Sequence, residues 1–188
     1  MVVRIEIATR PGLVDPRGEQ VRRTVRSFLG IEVVRVRTRD AYRIEADLSA
    51  AEAERVLAEL TDPVLRSGAI GRVEDGPFDV AVTVGFKPGV TDPIGKSAKV
   101  AVEDTLGRPL GDEAAVYTST IYLLDGVGRS DAERIAWELL ANPVIQTVIV
   151  ETRDAWAASP PDLTVPRVAW HATPHVAAVP LSGSDEDL

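Results

Sequence analysis

Cysteine is absent from this 188-residue chain. That removes a thiolate nucleophile, a disulfide and a cysteine-ligated zinc, and it fits a reducing, cytoplasmic setting. Histidine occurs twice, at His171 and His175, both in a proline-containing stretch near the C-terminus. No Cys–His or Ser–His–Asp arrangement is therefore expected in the folded part. The His171-x-x-x-His175 spacing would suit a metal only on a helix, and Pro174 between them opposes one. No Gly-x-x-x-x-Gly-Lys-Ser/Thr loop is present, and GVGRS at 126–130 lacks the lysine of a phosphate loop and reads as a strand-to-helix turn. No apolar run approaches the ~20 residues needed to cross a bilayer, and no basic-then-apolar leader opens the sequence. A basic excess is missing too. Lys and Arg total 21 against 29 Asp and Glu, a net charge of -8, with the arginines interleaved among acids. Nucleic acid is a poor partner for such a surface. These absences predict no catalytic, cofactor-binding or metal-binding residue in this chain. The 45% apolar content nevertheless supplies a real core.

What is present is repetition. Arg10–Gly30 (RPGLVDPRGEQVRRTVRSFLG) aligns without a gap on Lys87–Gly107 (KPGVTDPIGKSAKVAVEDTLG), an offset of 87 − 10 = 77, with 8 of 21 positions identical. Upstream, Val3, Ile5 and Ile7 map onto Val80, Val82 and Val84, and each set alternates as a half-buried strand does. Asp15 and Asp92 are N-cap candidates, with Pro16 and Pro93 at the first helical position. Val21, Val25, Phe28 and Leu29 form one predicted apolar stripe, answered by Ala98, Val102, Thr105 and Leu106. Gly30 and Gly107 are placed to end the helices in left-handed caps.

The remainder of each unit is looser. Tyr42, Ile44, Ala46 and Leu48 alternate as a strand, with Thr118–Leu124 in the equivalent place. Ser49-x-x-Glu52 and Ser130-x-x-Glu133 read as capping boxes. AERVLAELTDP at 53–63 echoes AERIAWELLANP at 132–143 with one residue inserted. Asn142 is expected to take a left-handed turn before Pro143. Val144–Glu151 is a final strand, and its counterpart near Ala69–Val73 is broken by Gly68 and Gly71. The pattern predicts an α+β fold of two tandem β-α-β-β-α-β units. They span 1–76 and 77–156, with helices on one face of antiparallel or mixed sheet, packed as a pseudo-twofold intrachain dimer. Residues 157–188 follow as a proline-containing linker or tail.

Lys87-Pro-Gly-Val-Thr-Asp-Pro-Ile-Gly-Lys96, followed further on by Leu139-Leu-Ala-Asn-Pro-Val-Ile145, resembles the PurS family, which pairs a (K/R)PGVxDPxG segment with a later LLANPVI segment. The first unit keeps RPGLVDPRG but carries Leu60-Thr-Asp-Pro-Val64 in the later place. The resemblance covers residues 2 to 153. It implies a non-catalytic subunit of phosphoribosylformylglycinamidine synthase, acting in purine biosynthesis. Such a subunit works as a dimer and bridges a PurL-type synthetase, where ATP and Mg belong, and a PurQ-type glutaminase. In single-chain forms of that enzyme an N-terminal domain resembles a fused PurS dimer. The tandem repeat is similar to that arrangement, and it implies that the isolated chain is a monomer.

Candidate contact residues follow. Arg10 and Lys87 would either face an anion beside a helix N-terminus or simply belong to a turn whose Asp already uses those N–H groups. Arg35, Arg37 and Arg39 recur at every second position of a strand, as a solvated face does; the alternative is a docking surface for an acidic partner. Trp137 lies off the Ile135–Ala136–Leu139–Leu140 stripe and is expected to pack on the other repeat, the alternative being an anchor for a partner. After Ala155, Pro160, Pro161, Pro166, Pro174 and Pro180 give a stiff spacer, punctuated by Val165, Val168, Trp170, Val176, Val179 and Leu181. Ser184 and the acidic residues behind it read as a helix start, so the chain is expected to be the N-terminal region of a longer synthetase. A different class of function fits the same architecture: a small-molecule sensor that uses the cleft between the repeats.

Overall fold

The computed structural model describes residues 1–74 and 76–168. His171, His175, Trp170, the apolar positions beyond Val168 and the expected helix start at Ser184 lie outside the described residues. The elements are β1 (Val2–Thr9), α1 (Pro16–Leu29), β2 (Arg35–Glu45), α2 (Ala50–Leu60), β3 (Arg66–Ile70), β4 (Val80–Phe86), α3 (Pro93–Leu106), β5 (Ala115–Asp125), α4 (Arg129–Ile135), a π-helical turn (Ala136–Leu140), β6 (Gln146–Thr152) and α5 (Arg153–Ala158). The order β-α-β-α-β therefore occurs twice. The predicted additional strand merges into a neighbour: the Arg35–Arg39 series and the Tyr42–Ile44 alternation are one eleven-residue strand, β2.

The helix ends follow from the sequence. Asp15 and Asp92 each accept the backbone N–H three residues on, from Gly18 at 3.0 Å and Gly95 at 2.7 Å. Each carboxylate also reaches the next strand, where the backbone N–H and hydroxyl of Thr38 or Thr118 donate to it. One Asp thus caps a helix and fixes it on the sheet. Gly18 and Gly95 permit that approach, since a Cβ there would stand 2.2 Å from the Val36 carbonyl oxygen or 2.1 Å from that of Val116. Gly30 and Gly107 close the helices at φ 66° and 67°.

All strand pairs are antiparallel, and the six strands form one sheet in the order β3-β1-β2-β5-β4-β6. The halves meet along β2 and β5. Thr38 pairs with Tyr122 and Tyr42 with Thr118, centred on Asp40 opposite Thr120. Thr38 and Thr118 hold the same structural position, an offset of 118 − 38 = 80, so this register maps onto itself when the halves are exchanged, as an isologous contact does.

The helices cross that seam. One core combines Val25, Val33 and Val36 with Val80, Val82, Val84, Leu124, Ala132 and Ile135. The other combines Ile5, Ile7, Ile44 and Val56 with Ala98, Val102 and Val116, and α2 packs on α3. Each core draws on both halves. The opposite sheet face is covered by Phe78, which precedes β4, and by Trp156 of α5, which pack on Ala41, Ala81, Ile121 and Leu123, the two rings edge to face at 6.3 Å.

Several details depart from the sequence pattern. Phe28 is 79% exposed; it lies about 60° around the helix from buried Val25, and Leu29 takes the inward place. Ser130 makes no cap. Gly128 is the N-cap of α4, and Glu133 accepts from Arg129 at 2.8 Å instead. Gly68 does not break β3: a Cβ there would stand 2.7 Å from both Leu57 and Thr61, so it admits α2, while Gly71 at φ 90° ends the strand. Asn142 takes no left-handed turn, there being no positive φ outside glycine among the described residues. The residue inserted in the second half relative to the first is absorbed by the π-helical turn, closed by the Ala141 N–H to the Ala136 carbonyl at 2.9 Å.

Candidate docking surfaces

The two loops quoted from the sequence are braced alike. The Arg10 N–H donates to the Leu65 carbonyl at 3.0 Å and its guanidinium to the Pro63 carbonyl at 2.9 Å. The Lys87 N–H donates to the Ile145 carbonyl at 3.0 Å and its ammonium to the Pro143 carbonyl at 2.6 Å. Asp62 Oδ1 accepts from Val64 N at 2.8 Å, and Asn142 Oδ1 from Val144 N at 2.9 Å. Asp62-Pro63 therefore occupies the structural place of Asn142-Pro143, despite the changed motif. Asp15 and Asp92 hold N–H groups at the two helix starts, and both cations are engaged with carbonyl oxygens, the turn-and-cap arrangement. Outward, these loops present Leu13, Val14, Val64 and Leu65 in the first half, and Ile94, Val144 and Ile145 in the second, all exposed.

Beside each loop lies a groove. In the first half it encloses about 810 Å³ between the Arg10–Asp15 loop, the start of β2 and the connector residues Val73, Glu74, Gly76 and Pro77. In the second it encloses about 480 Å³ between the Gly89–Asp92 loop, the start of β5 and the segment Pro166–Val168. The linings differ in charge. Arginines outnumber acids in the first, where Arg10, Arg35 and Arg37 stand with Asp15, Glu19 and Glu74 as well as Arg22 and Arg39; in the second, Asp92, Asp112 and Glu113 outnumber Arg167, and Ala115 and Tyr117 stand at the offset of Arg35 and Arg37.

The arginine series of β2 is not one solvated face. Arg35 is 51% exposed and pairs with Asp125 at 3.2 Å. Arg37 donates to the Pro77 carbonyl at 2.5 Å. Arg39 is buried, together with Arg4 and Glu6. Glu6 accepts from Arg4 Nη2 at 2.7 Å, from Arg39 Nη1 at 3.3 Å and from Val73 N at 3.1 Å, while Arg39 also reaches the Val73 and Glu74 carbonyls. The connector buries this group, and no periodicity in the sequence announces it. Trp137, expected to pack on the other repeat, is 45% exposed on the π-helical turn and joins neither helix-side core.

After α5 the chain returns across the first half. The Asp162 carbonyl accepts from Arg4 at 2.8 Å, its carboxylate pairs with Arg43 at 3.1 Å, the Thr164 carbonyl accepts from Arg43 at 2.5 Å, and Arg167 pairs with Glu45 at 2.7 Å. Burial pushes the Arg43 guanidinium below its ordinary pKa. This segment is thus held by two ion pairs and by arginine bonds to two carbonyls, with Val168 60% exposed. Of GVGRS, residues 126–128 form the turn into α4, with Gly126 at φ 84°, and Arg129 and Ser130 already belong to the helix.

Among the described residues no group of His, Asp and Glu is placed to hold a metal ion, and no helix is long and apolar enough to cross a membrane. The molecule is an α+β protein whose exposed features are braced loops and grooves. Its first half is similar to PurS: residues 2–72 match the PurS family model, described as phosphoribosylformylglycinamidine (FGAM) synthase. That match supports a part in FGAM synthase, and so in purine biosynthesis. It falls on the half with the weaker motifs rather than on the second, where both quoted motifs stand. No curated protein matches the chain.

Proposed function

We propose that the chain is a tandem PurS-like assembly module of FGAM synthase, non-catalytic itself, that bridges a PurL-type synthetase and a PurQ-type glutaminase. The observation that carries this reading is the PurS match at residues 2–72, joined to the recurrence of the same braced loop, capped helix and strand in the second half. The self-mapping β2–β5 register supports an origin by duplication, with the internal partner taking the place of a second PurS subunit. The hold of Arg4, Arg43 and Glu45 on Asp162, Thr164 and Arg167 supports a spacer that leads on into the synthetase. ATP and Mg belong to that synthetase. The test is reconstitution: FGAM formation from glutamine by purified synthetase and glutaminase, with and without this chain. A dependence of at least tenfold is expected, and full glutamine-driven activity without the chain refutes the proposal.

One observation favours a second reading, a sensor domain. A cleft of about 310 Å³ at the seam is lined by Tyr42 and Tyr122, which stand at equivalent positions, with Arg17 and Asp40. Arg17 pairs with Asp40 at 2.8 Å, and its Nη2 has no protein partner. A thermal-shift screen of amino acids and nucleotides separates the readings: a saturable rise abolished by Tyr42→Ala favours the sensor.

A further inference from the structure

The two grooves are structural equivalents with opposite charge, and that difference assigns them different occupants. We propose that the groove of the first half docks an acidic, extended segment of a partner protein, and that the groove of the second half does not. The proposal deepens the assembly reading and rests on it.

Three observations carry it. First, charge: in a chain of net charge -8, the charged lining of the first groove is Arg10, Arg22, Arg35, Arg37 and Arg39 against Asp15, Glu19 and Glu74, a cationic excess, whereas that of the second is Asp92, Asp112 and Glu113 against Arg167 alone. Such a difference between otherwise matched surfaces selects partners and steers their approach. Second, distribution: the cations come from the loop and from alternate positions of β2, so they line a path. A compact phosphate would need convergent donors at a helix N-terminus, and there Asp15 already accepts from Gly18 and Thr38. Exposed Leu13 and Val34 flank the same path, at 49% and 71% exposure, which suits a chain carrying both acidic and apolar side chains. Third, precedent: in the second half an extended piece of this chain, Pro166–Val168, already lies against the equivalent loop, close enough that a Cβ on Gly89 would stand 3.1 Å from Val168.

The experiment measures binding of the full chain to purified PurQ-type glutaminase and, separately, PurL-type synthetase, by calorimetry at 50 and 300 mM NaCl. Arg10→Glu/Arg35→Glu is compared with Asp112→Lys/Glu113→Lys, and circular dichroism checks that each is folded. Val34→Ser, a small change at an exposed position, repeats the test without touching an ion pair. The expected result is a loss of at least tenfold in affinity for one subunit with the arginine variant and of about threefold or more with Val34→Ser. The acidic-groove variant should stay within twofold for that subunit, and wild-type affinity should fall at 300 mM NaCl. Unchanged binding by the arginine variant and Val34→Ser overturns the groove assignment while the assembly reading stands. Wild-type chain that binds neither subunit overturns both. A thermal shift with 10 mM inorganic phosphate that the arginine variant abolishes also overturns the proposal, by making the groove a small-anion site.

Discussion

Removing the Glu6 carboxylate should be among the most damaging single changes in the described fold. Glu6 is fully buried between Arg4 and Arg39 and also accepts the Val73 N–H. Glu6→Ala leaves two guanidinium groups 4% and 2% exposed without their shared anion, and frees the connector that covers them. Deleting one partner of a buried ion pair costs about 3–5 kcal/mol, because the remaining charge stays desolvated. For a domain of this size each kcal/mol lowers Tm by about 2–4 °C, so a fall of roughly 6–20 °C is expected. Circular dichroism melts at neutral pH measure it. Replacing the triad together, Arg4→Met/Glu6→Leu/Arg39→Met, should recover much of the loss, since an apolar set of similar volume avoids the desolvation cost. A Glu6→Ala melt within about 2 °C of wild type, or a triple variant no better than the single one, would refute the argument.

Other consequences are equally open to measurement. Residues 1–76 alone should not melt cooperatively as a monomer, because both helix-side cores need residues from the other half; a monomeric, cooperatively melting fragment contradicts the shared core. Gly95→Ala should destabilise by about 1–3 kcal/mol, as its Cβ meets the Val116 carbonyl oxygen; urea titration shows it, and an unchanged midpoint sinks the claim. Glu52 is held at a pKa of about 2, below the ordinary 4.5, by the Ser49 backbone N–H first, then by Arg108 and the Ser49 hydroxyl. A depressed carboxylate stabilises above its unfolded pKa and loses that effect as pH falls through the folded one. Glu52→Gln should therefore flatten the acid dependence of Tm between about pH 4.5 and 2, and parallel curves would contradict it.

Local chemistry made part of this fold legible in advance. Asp-Pro before an apolar stripe and Gly after it marked α1 and α3, since caps depend on neighbouring residues alone, and alternation marked β1 and β4. What escaped depends on distant chain. The exchange of helices across the seam leaves no period in either half. Arg39 looked like exposed Arg35 and half-buried Arg37 because its cover comes from Val73 and Glu74, an irregular connector. A one-residue insertion near Trp137 reads the same whether it lengthens a loop or widens a helix turn. At the candidate site, Arg10, Lys87, Arg35 and Arg37 were singled out by charge and position. Their bonds to the Pro63, Pro143 and Pro77 carbonyls and to Asp125, and the opposite charge of the two grooves, required the strand register that brings them together.

The central claim is that one chain holds the synthetase and glutaminase together. Sedimentation of an equimolar mixture of this chain with the PurL-type and PurQ-type subunits, with ATP, Mg and glutamine present, tests it most directly. The account predicts a ternary species with a single copy of this chain, lost when the chain is omitted. Three independently sedimenting proteins, or a synthetase–glutaminase complex that forms equally well without the chain, would contradict it.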